Sequence, residues 1–305
     1  MASPMTAYLI IDAGGTFLKS AILDSRGEVF PGSALSVESF SDGSKEEILQ
    51  SFQEIISKGL KFIGEKEMKL KGAGIAFPGP FDFEKATPLM KHKFQAIYGL
   101  DLRKYFYEAT GISRDIPIKF IHDANAVLVG EIWKGNAQGF KNAAVVTLGT
   151  GLGFAISKNG EVLCNDIGGP YLSIFKIPYK DGILEDYTAK RGFLKIYHEL
   201  NGVAESNEIT VEDIAVLAEV GEQNALQTFR KVGEILSGSL KEILEENKIE
   251  CLLFSGQISK SFRFIQPTLE EGFKNVNCLN HLAVVKSIEH AALLGALKNL
   301  LRETR

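Results

Sequence analysis

The first residues that could do chemistry lie in a glycine turn between two apolar stretches. Residues 9–23 read LIIDAGGTFLKSAIL, with Asp12 just ahead of Gly14, Gly15 and Thr16. Two strands joined by a Gly-Gly turn predict a β-hairpin. Because glycine has no Cβ, backbone N–H groups in such a turn can approach a phosphate closely, and Thr16 adds a hydroxyl donor. Asp12 could hold Mg²⁺ beside that phosphate. The alternative is an ordinary hairpin tip.

Three further stretches carry residues of similar types. They read GIAFPGP at 74–80, HDANA at 122–126 and TLGTGLG at 147–153. Proline and glycine in the first of these predict a loop without ladder hydrogen bonds. Asp123 precedes an apolar helix and could act either as a general base or as the cap of that helix. The glycines of 147–153 could line a second phosphate turn or form a simple tight hairpin.

Composition limits the class of protein. The 305 residues are 45% apolar, which suits one large or two medium globular domains. The net charge of −4 gives no bulk attraction for nucleic acid or an anionic membrane. The cysteines, Cys164, Cys251 and Cys278, are few and widely spaced, which indicates a reducing compartment. Since no apolar stretch reaches the roughly 18 residues of a membrane span and no signal peptide is evident, we expect a cytoplasmic protein.

Strands and helices alternate along the chain, which indicates an α/β fold. Strands are predicted at 7–12, 17–24 and 27–35, and apolar residues at helical spacing predict a helix over 45–63 with Ser44 as its N-cap. Both halves of the chain contain a strand, a Gly/Thr turn, a second strand and a Gly-Glu-Val sequence. This repeat predicts two similar α/β domains with a cleft between them.

In their order and spacing, the four stretches resemble those of the ROK family of sugar kinases, within the actin–hexokinase–Hsp70 superfamily. LFSG at 253–256 is similar to the family's adenosine-site loop, and residues 291–296 are similar to its terminal helix. The resemblance spans essentially the whole chain. It implies two RNase H-like (actin-like ATPase) domains with an interdomain cleft, the first made of 1–121 and 288–305 and the second of 122–287.

The resemblance also implies a reaction and a set of site residues. The reaction is transfer of the γ-phosphoryl group of ATP, with Mg²⁺, to a sugar hydroxyl, and Asp123 would be the base that accepts the hydroxyl proton. Asp12 would hold the Mg²⁺ of the nucleotide. The residues that would bind ATP and its phosphates are Gly14, Gly15, Thr16, Gly149, Thr150, Gly151, Gly153 and Gly256. The residues that would line the sugar site are Pro78, Gly79, His122, Asp123, Asp166 and Glu185.

One departure from the family pattern concerns metal binding. Family members commonly carry a zinc motif, C-x-C-G-x-x-G-C-x-E, which aligns here with residues 176–185. All three cysteine positions are replaced, by Lys176, Pro178 and Ile183. We therefore predict no zinc site.

Other departures concern the sugar. The family's Gly-Glu-x-Gly-His segment aligns with residues 165–169, where Asp166 replaces the glutamate and Gly169 replaces the histidine. His122 stands where the family has an asparagine before the catalytic aspartate. It could be a sugar ligand or a satisfied histidine at the end of a strand.

Two functions of different classes remain open. The first is an ATP-dependent sugar kinase with an altered acceptor pocket, and the second is a sugar-binding or sensing protein without turnover. Retention of Asp12, Asp123 and both glycine turns favours catalysis. A DNA-binding member of the family would carry a helix-turn-helix ahead of Asp12, and we expect none here. The expected partner is a small-molecule sugar, with no nucleic acid and no membrane, and a homo-oligomer stays open.

Overall fold

The computed structural model describes residues 4–202 and 209–302. The strands are β1 (Thr6–Ala13), β2 (Phe17–Leu23), β3 (Leu35–Glu38), β4 (Lys69–Phe77), β5 (Phe81–Asp82), β6 (Thr87–Pro88), β7 (Ile118–His122), β8 (Ala143–Leu148), β9 (Leu152–Lys158), β10 (Glu161–Val162), β11 (Pro178–Tyr179), β12 (Gly182–Ile183), β13 (Cys251–Ser255) and β14 (His281–Val284). The helices are α1 (Lys45–Glu65), α2 (Leu102–Thr110), α3 (Asp123–Lys134), α4 (Leu184–Thr188), α5 (Lys190–Asn201), α6 (Val211–Glu219), α7 (Gln223–Glu246), α8 (Phe262–Phe273) and α9 (Ala291–Leu301).

The described residues group into two compact units, each with its own five-stranded sheet. Of the described residues, the first unit comprises 4–135, 164–170 and 289–302, and the second comprises 136–163, 171–202 and 209–288. The prediction of an α/β chain with two similar halves is confirmed by the two sheets. The sequence prediction assigns α3 to the second domain, whereas in the structure α3 packs on α9 and lies in the first unit.

The sheet of the first unit has the strand order β3-β2-β1-β4-β7. β1 and β2 form the predicted antiparallel hairpin, while β1, β4 and β7 run parallel. The predicted strand over 27–35 is wrong, because only Val29 forms an isolated bridge, to Leu23, and β3 begins at Leu35. Gly27 and Gly32 both have positive φ, at 84° and 78°, and the turns that they allow interrupt the extended backbone.

α1 and an aromatic core support the first sheet. The helix begins with a capping box, in which Ser44 and Glu47 each bond the other's backbone N–H, and its buried side includes Phe52 and Ile55. The Phe52 ring lies 6.0 Å from that of Phe77 and 6.3 Å from that of Phe94, centroid to centroid. Because all three rings are buried, this cluster fixes the ends of β4 and the loop after β6.

α3 and α9 pack unusually closely, and glycine permits the approach. A methyl group built on Gly295 would lie 1.7 Å from the carbonyl oxygen of Ala126, and one on Gly130 would lie 2.2 Å from that of Ala291. Each helix therefore places a glycine against the backbone of the other. Since α3 begins at Asp123, this contact sets the position of that residue relative to the sheet.

We expect Gly295→Ala to lower the free energy of unfolding by about 1–3 kcal/mol, since the added methyl group forces the two helices apart. Chemical denaturation followed by circular dichroism measures the change. Gly238→Ala is the matched control, because Gly238 is an exposed glycine within α7 and a Cβ there meets nothing within 4 Å. This control should be neutral or stabilise by about 0.5–1 kcal/mol. Equal effects of the two substitutions would contradict the close-contact explanation.

The sheet of the second unit has the order β10-β9-β8-β13-β14. It repeats the pattern of the first, with an antiparallel hairpin, β8 and β9, beside the parallel strands β8, β13 and β14. α5, α7 and α8 contribute to its core through buried residues such as Phe193, Phe229 and Ile265. Within the described part of the chain, no helix is long and apolar enough to cross a membrane.

Candidate functional site

The first unit brings several of the predicted site residues to one edge of its sheet. β1, β4 and β7 are adjacent and parallel, so their carboxyl ends lie side by side. Asp12 pairs with Ala76 near the end of β1, and Phe77 pairs with His122 at the end of β7. The residues just beyond these strand ends are Gly14, Gly15, Thr16, Pro78, Gly79, Pro80 and Asp123. Ligands of open α/β sheets bind outside the carboxyl ends of the strands. This edge is therefore the candidate site of the first unit.

The first glycine turn is held by bonds to its own hairpin and to a neighbouring loop. The N–H of Gly14 donates to the carbonyl oxygen of Phe17 at 3.0 Å, which closes the turn. The hydroxyls of Ser39 and Ser41 both donate to the carbonyl oxygen of Gly15, at 2.7 and 2.6 Å. Thr16 is exposed at the tip. The turn is thus fixed while its outer surface stays accessible.

Asp12 and Asp123 influence each other electrostatically. Burial, together with the negative charge of Asp123, raises the pKa of Asp12 to about 6, and Lys19, its cross-strand partner, opposes this shift. The pair therefore suits a divalent cation, which prefers carboxylate oxygens and would relieve the repulsion between them.

Asp123 is the first residue of α3, and its two carboxylate oxygens differ. Oδ1 lies 2.6 Å from the backbone nitrogen of Ala124 and 3.0 Å from Nδ1 of His122. Oδ2 accepts no hydrogen bond from the described residues, and the side chain is 40% exposed. Asp123 is thus a partly exposed carboxylate with one oxygen that accepts no hydrogen bond from the described residues.

His122 is buried against Asp123 on one side and Gly79 on the other. Burial lowers the pKa of His122, and the charge of Asp123 only partly offsets this, so the ring is neutral at pH 7. Its Nδ1 also lies 3.2 Å from the backbone nitrogen of Ala124. A methyl group built on Gly79 would lie 3.2 Å from Nε2 of the ring. The absence of a side chain at Gly79 therefore leaves room beside Nε2.

Residues 165–169 form a compact loop around the side chain of Asn165. Its Oδ1 accepts from the N–H groups of Ile167 and Gly169, at 3.1 and 2.9 Å. Asp166 is exposed, and a methyl group on Gly169 would meet the Asn165 amide at 3.0 Å. A Cβ at position 169 would therefore point at the Asn165 side chain, so the absence of a side chain at Gly169 creates no empty space on that side.

Two contacts tie this loop to the rest of the first unit. The N–H of Phe83 donates to the carbonyl oxygen of Ile167 at 2.9 Å. The side-chain amide of Asn125 lies 3.3 Å from Sγ of Cys164, and Oδ1 of Asn125 is buried without a protein partner among the described residues. The segment that carries Asp166 is thus bonded to α3 two residues after Asp123.

The second glycine turn lies in the second unit, between β8 and β9. The N–H of Gly149 donates to the carbonyl oxygen of Gly151 at 3.1 Å, and Thr150 is exposed at the tip. Glu185 braces this turn, since its Oε2 accepts the N–H of Leu152 at 2.8 Å. The other oxygen of Glu185 lies 3.2 Å from the guanidinium of Arg191. The structure therefore places Glu185 against a predicted phosphate turn and gives it two partners there.

Gly256 lies beside the same turn. β8 and β13 are parallel neighbours, with Thr147 paired to Ser255, so the residues that follow them share one edge. The φ of Gly256 is +88°, and a methyl group there would lie 2.2 Å from the carbonyl oxygen of Leu148. Only glycine fits this backbone conformation and spacing. The second unit thus brings Gly256 together with residues 149–153.

The loop that aligns with the family's zinc motif is a small hairpin, β11 and β12. The hydroxyl of Tyr187 donates to Asp181, and the Tyr179 and Tyr187 rings meet edge to face at 5.0 Å. Ile174 is buried just before the hairpin, whereas Tyr171 is 53% exposed. In residues 4–202 and 209–302, no group of three or more His, Cys, Asp or Glu side chains is arranged to hold a metal ion.

The purified protein should hold no stoichiometric zinc, and chelators should leave its melting temperature unchanged. A structural zinc site stabilises strongly, because its ligands are gathered only in the folded state. Here tyrosine packing and the Asp181–Tyr187 hydrogen bond hold the loop instead. Elemental analysis and thermal unfolding with and without chelator check this. One zinc per chain, or a large chelator-dependent fall in stability, would contradict it.

Sequence reasoning missed the contacts made by Ser39 and Ser41. They lie 24 and 26 residues from Gly15, and neither belongs to a motif. Their only signal is that a polar segment follows β3, which is too common to identify a site. The other predicted site residues of the first unit lie on the carboxyl edge of its sheet or in a loop bonded to α3.

Comparison with known proteins extends these observations. Residues 8–169 match the model of the ROK family. The chain is 25% identical over 290 residues to a glucokinase of Halalkalibacterium halodurans, covering 88% of this chain and 85% of that protein. It is 26% identical over 152 residues to a β-glucoside kinase of Listeria monocytogenes, covering 50% and 47% of the two chains.

The fold comparison agrees with the sequence comparison. A ROK family glucokinase from Streptomyces griseus, solved with glucose and AMPPNP, superposes with a TM-score of 0.81 at 18% identity, over 96% of this chain and 98% of that one. The family match covers more than half of the chain. The chain belongs to the ROK family.

Proposed function

We propose that this chain is an ATP-dependent sugar kinase in which Asp123 is the general base. Its family and its similarity to a glucokinase over most of both chains support the reaction class. The observation that carries the assignment of Asp123 is its free Oδ2, on an accessible carboxylate at the edge that also carries Asp12 and a glycine turn. A base for proton transfer needs such an oxygen within reach of the substrate.

The proposed reaction is a single displacement. Asp123 Oδ2 accepts the proton of one sugar hydroxyl while the hydroxyl oxygen bonds to the γ-phosphorus of ATP. The bond from that phosphorus to the β-phosphate oxygen breaks, which leaves ADP and the sugar phosphate. In the first turn the backbone N–H groups of Gly15 and Thr16 would bind phosphate oxygens, and in the second turn those of Thr150 and Gly151 would do so, since the N–H groups of Gly14, Gly149 and Leu152 already donate within the protein. This chemistry depends mainly on positioning and on stabilisation of phosphate charge.

Asp12 is the residue that would hold Mg²⁺ with the nucleotide. Burial first, and then the negative charge of Asp123, raise the pKa of Asp12, and a cation bound at Asp12 would offset both effects. When bound, Mg²⁺ supplies neutralisation of the phosphate charges.

His122 would orient Asp123 and contact the sugar. In this role Nδ1 of His122 would carry the ring proton and donate to Oδ1 of Asp123, 3.0 Å away, and the Ala124 N–H would donate to the same Oδ1, at 2.6 Å, and not to Nδ1. Oδ2 then stays free for the substrate, and Nε2 is left as an acceptor beside Gly79. The roles of Pro78, Asp166 and Glu185 at the sugar remain proposals. Glu185 in particular also braces the second glycine turn.

The test is sugar-dependent release of ADP from Mg–ATP, measured with a panel of hexoses, amino sugars and glycosides. Turnover with at least one sugar, and formation of a sugar phosphate by mass spectrometry, is the expected result. Slow ATP hydrolysis that no sugar accelerates would contradict the kinase assignment.

A sugar-binding protein without turnover is the second candidate. The observation that favours it is the reduced set of sugar contacts, because Gly169 has no side chain and Asp166 is exposed. Sugar binding measured by calorimetry, together with the absence of sugar phosphate in the same samples, would identify this function.

We expect glucose to be a poor substrate, with kcat/KM about 10-fold or more below that of the best acceptor. A buried polar pocket rejects a misfit because each unpaired donor or acceptor costs roughly 1–3 kcal/mol. His122 and Asp166 place different groups at two positions that the resemblance assigns to the sugar. The preferred acceptor should be another hexose, an N-acyl amino sugar or a bulkier glycoside. If glucose is best by a wide margin, the assignment of residues 165–169 to the sugar is wrong.

A further inference from the structure

The first glycine turn has a lysine folded against it. A methyl group built on Gly15 would lie 3.2 Å from Nζ of Lys93 and 3.3 Å from its Cδ and Cε. The lysine side chain therefore runs along the face of Gly15 that has no side chain, with its ammonium at the turn. Lys93 is 78 residues from Gly15 in sequence, so no motif connects the two.

Packing places Lys93 there. The next residue, Phe94, has its ring fully buried, 5.0 Å from that of Phe77 between centroids. The N–H of Phe94 donates at 2.5 Å to the carbonyl oxygen of Ser41, and the Ser41 hydroxyl donates to Gly15. Because Phe94 is anchored on both its ring and its backbone, the adjacent lysine is held beside the turn.

The ammonium of Lys93 has no partner of opposite charge. It forms no ion pair or hydrogen bond with any of the residues that the structure describes, although its side chain is partly buried. Burying a charge is costly unless an opposite charge pairs with it. Asp12 and Asp123, at the same sheet edge, are not within ion-pair distance of it. The side chain is thus poised to pair with an anion that is not part of the protein.

We propose that Lys93 binds the terminal phosphate of the phosphoryl donor. This inference rests on the proposed function, which assigns the turn of Gly14, Gly15 and Thr16 to the donor phosphates. In that role the ammonium donates hydrogen bonds to phosphate oxygens and balances the negative charge on the group being transferred. Lys93 is then a substrate-binding residue that adds a positive charge to a turn of neutral N–H groups.

The test uses inorganic tripolyphosphate as the probe, titrated by calorimetry with Mg²⁺ present, and adenosine as a separate probe. Lys93→Met should weaken tripolyphosphate binding about 10- to 100-fold, as expected for a lost hydrogen bond to a charged group, and leave adenosine binding unchanged. Lys93→Arg should retain most of the affinity. Lys91→Met is the matched control, because it removes the same charge from an exposed position in the same loop. Its affinity should stay within about twofold of the wild type.

Gly15→Ala gives an independent check on the geometry. Its methyl group must displace the flexible lysine side chain, so tripolyphosphate affinity should fall, and adding Lys93→Met should lower it little further. Full additivity of the two substitutions would overturn the contact.

Three outcomes would overturn the inference. The first is an unchanged tripolyphosphate affinity in Lys93→Met, and the second is an equal loss of that affinity in Lys91→Met. The third is a loss of turnover in Lys93→Met that is confined to acidic or phosphorylated sugars offered as acceptors. Failure of the proposed function looks different. If no sugar is phosphorylated but tripolyphosphate binding still depends on Lys93, the kinase assignment falls and the phosphate contact stands.

Discussion

Asp123→Asn is expected to lower the rate of sugar phosphorylation by about 10²–10⁴, with ATP affinity within a few-fold of the wild type. The substitution keeps the shape of the side chain and an oxygen that can accept the N–H of Ala124. In the wild type this N–H donates to Oδ1 of Asp123 at 2.6 Å. It removes the basic oxygen that would take the hydroxyl proton. The effect should therefore fall on kcat, as measured by ADP release, and not on nucleotide binding measured by calorimetry.

The matched control separates catalysis from helix capping. Asp101 is the N-cap of α2 in the same unit, and its side chain accepts the N–H of Lys104 at 2.9 Å. Asn is as good an N-cap as Asp, so Asp101→Asn should change neither stability nor activity appreciably. If Asp123→Asn likewise retains activity within a few-fold, Asp123 is only a residue of the helix start and the base lies elsewhere.

The parts of the fold that follow from local sequence could be predicted. α1 is marked by Ser44 and by apolar residues at helical spacing, and the structure extends it over Lys45–Glu65. The long α7 carries apolar residues at the same spacing, among them the buried Phe229, Val232 and Leu236. Glycine turns marked both hairpins, β1–β2 and β8–β9. These features depend on residues within a few positions of one another, where periodicity and turn chemistry act.

The parts that depend on distant contacts could not be predicted. The assignment of α3 to a unit follows from its contact with α9, where Gly295 meets Ala126 across about 170 residues of sequence. The strand predicted over 27–35 is wrong because this stretch contains Gly27 and Gly32, whose positive φ values allow two turns. Only Val29 pairs with β2 there, because pairing with a partner strand, and not the residue type alone, decides which residues are extended.

The candidate site divides in the same way. The motifs identified Asp12, Asp123 and both glycine turns, because short chemical signatures lie within single loops. They did not identify the two hydroxyls on Gly15 or the lysine beside it, which arrive from separate loops. The motif identified Glu185 as a candidate site residue, but it did not indicate that this side chain accepts the N–H of Leu152.

Asp12→Asn is expected to abolish Mg²⁺-dependent use of ATP and, in the metal-free protein, to raise the free energy of unfolding at pH 7.5 by up to about 3 kcal/mol. The carboxyl pKa is about 6 in the folded state against a reference value of 3.8, owing to burial and to Asp123. Between these values the native state holds a proton that the unfolded chain has lost, so stability falls as pH rises through the window. Above pH 6 the ionised Asp12 carboxylate lowers the free energy of unfolding by its full amount, and below about pH 4 this destabilisation is absent. Asparagine carries no charge, so the variant is not destabilised in this way.

The measurement is urea unfolding of both proteins, without divalent cations, at pH 4.5 and pH 7.5. The gain in the free energy of unfolding from Asp12→Asn should be large at pH 7.5 and shrink toward pH 4.5.

Asp24→Asn, in the loop after β2, is the control, because the pKa of Asp24 is shifted in the opposite direction. Burial raises the pKa of Asp24, but hydrogen bonds from Glu28 and Arg26 outweigh this and hold the pKa below its usual value. Neutralising Asp24 should therefore not stabilise. If Asp12→Asn is no more stable than the wild type at pH 7.5 and still uses Mg–ATP normally, Asp12 is an ordinary strand residue. If it gains stability and loses Mg²⁺-dependent turnover, the protein retains a destabilising carboxylate because the bound cation requires it.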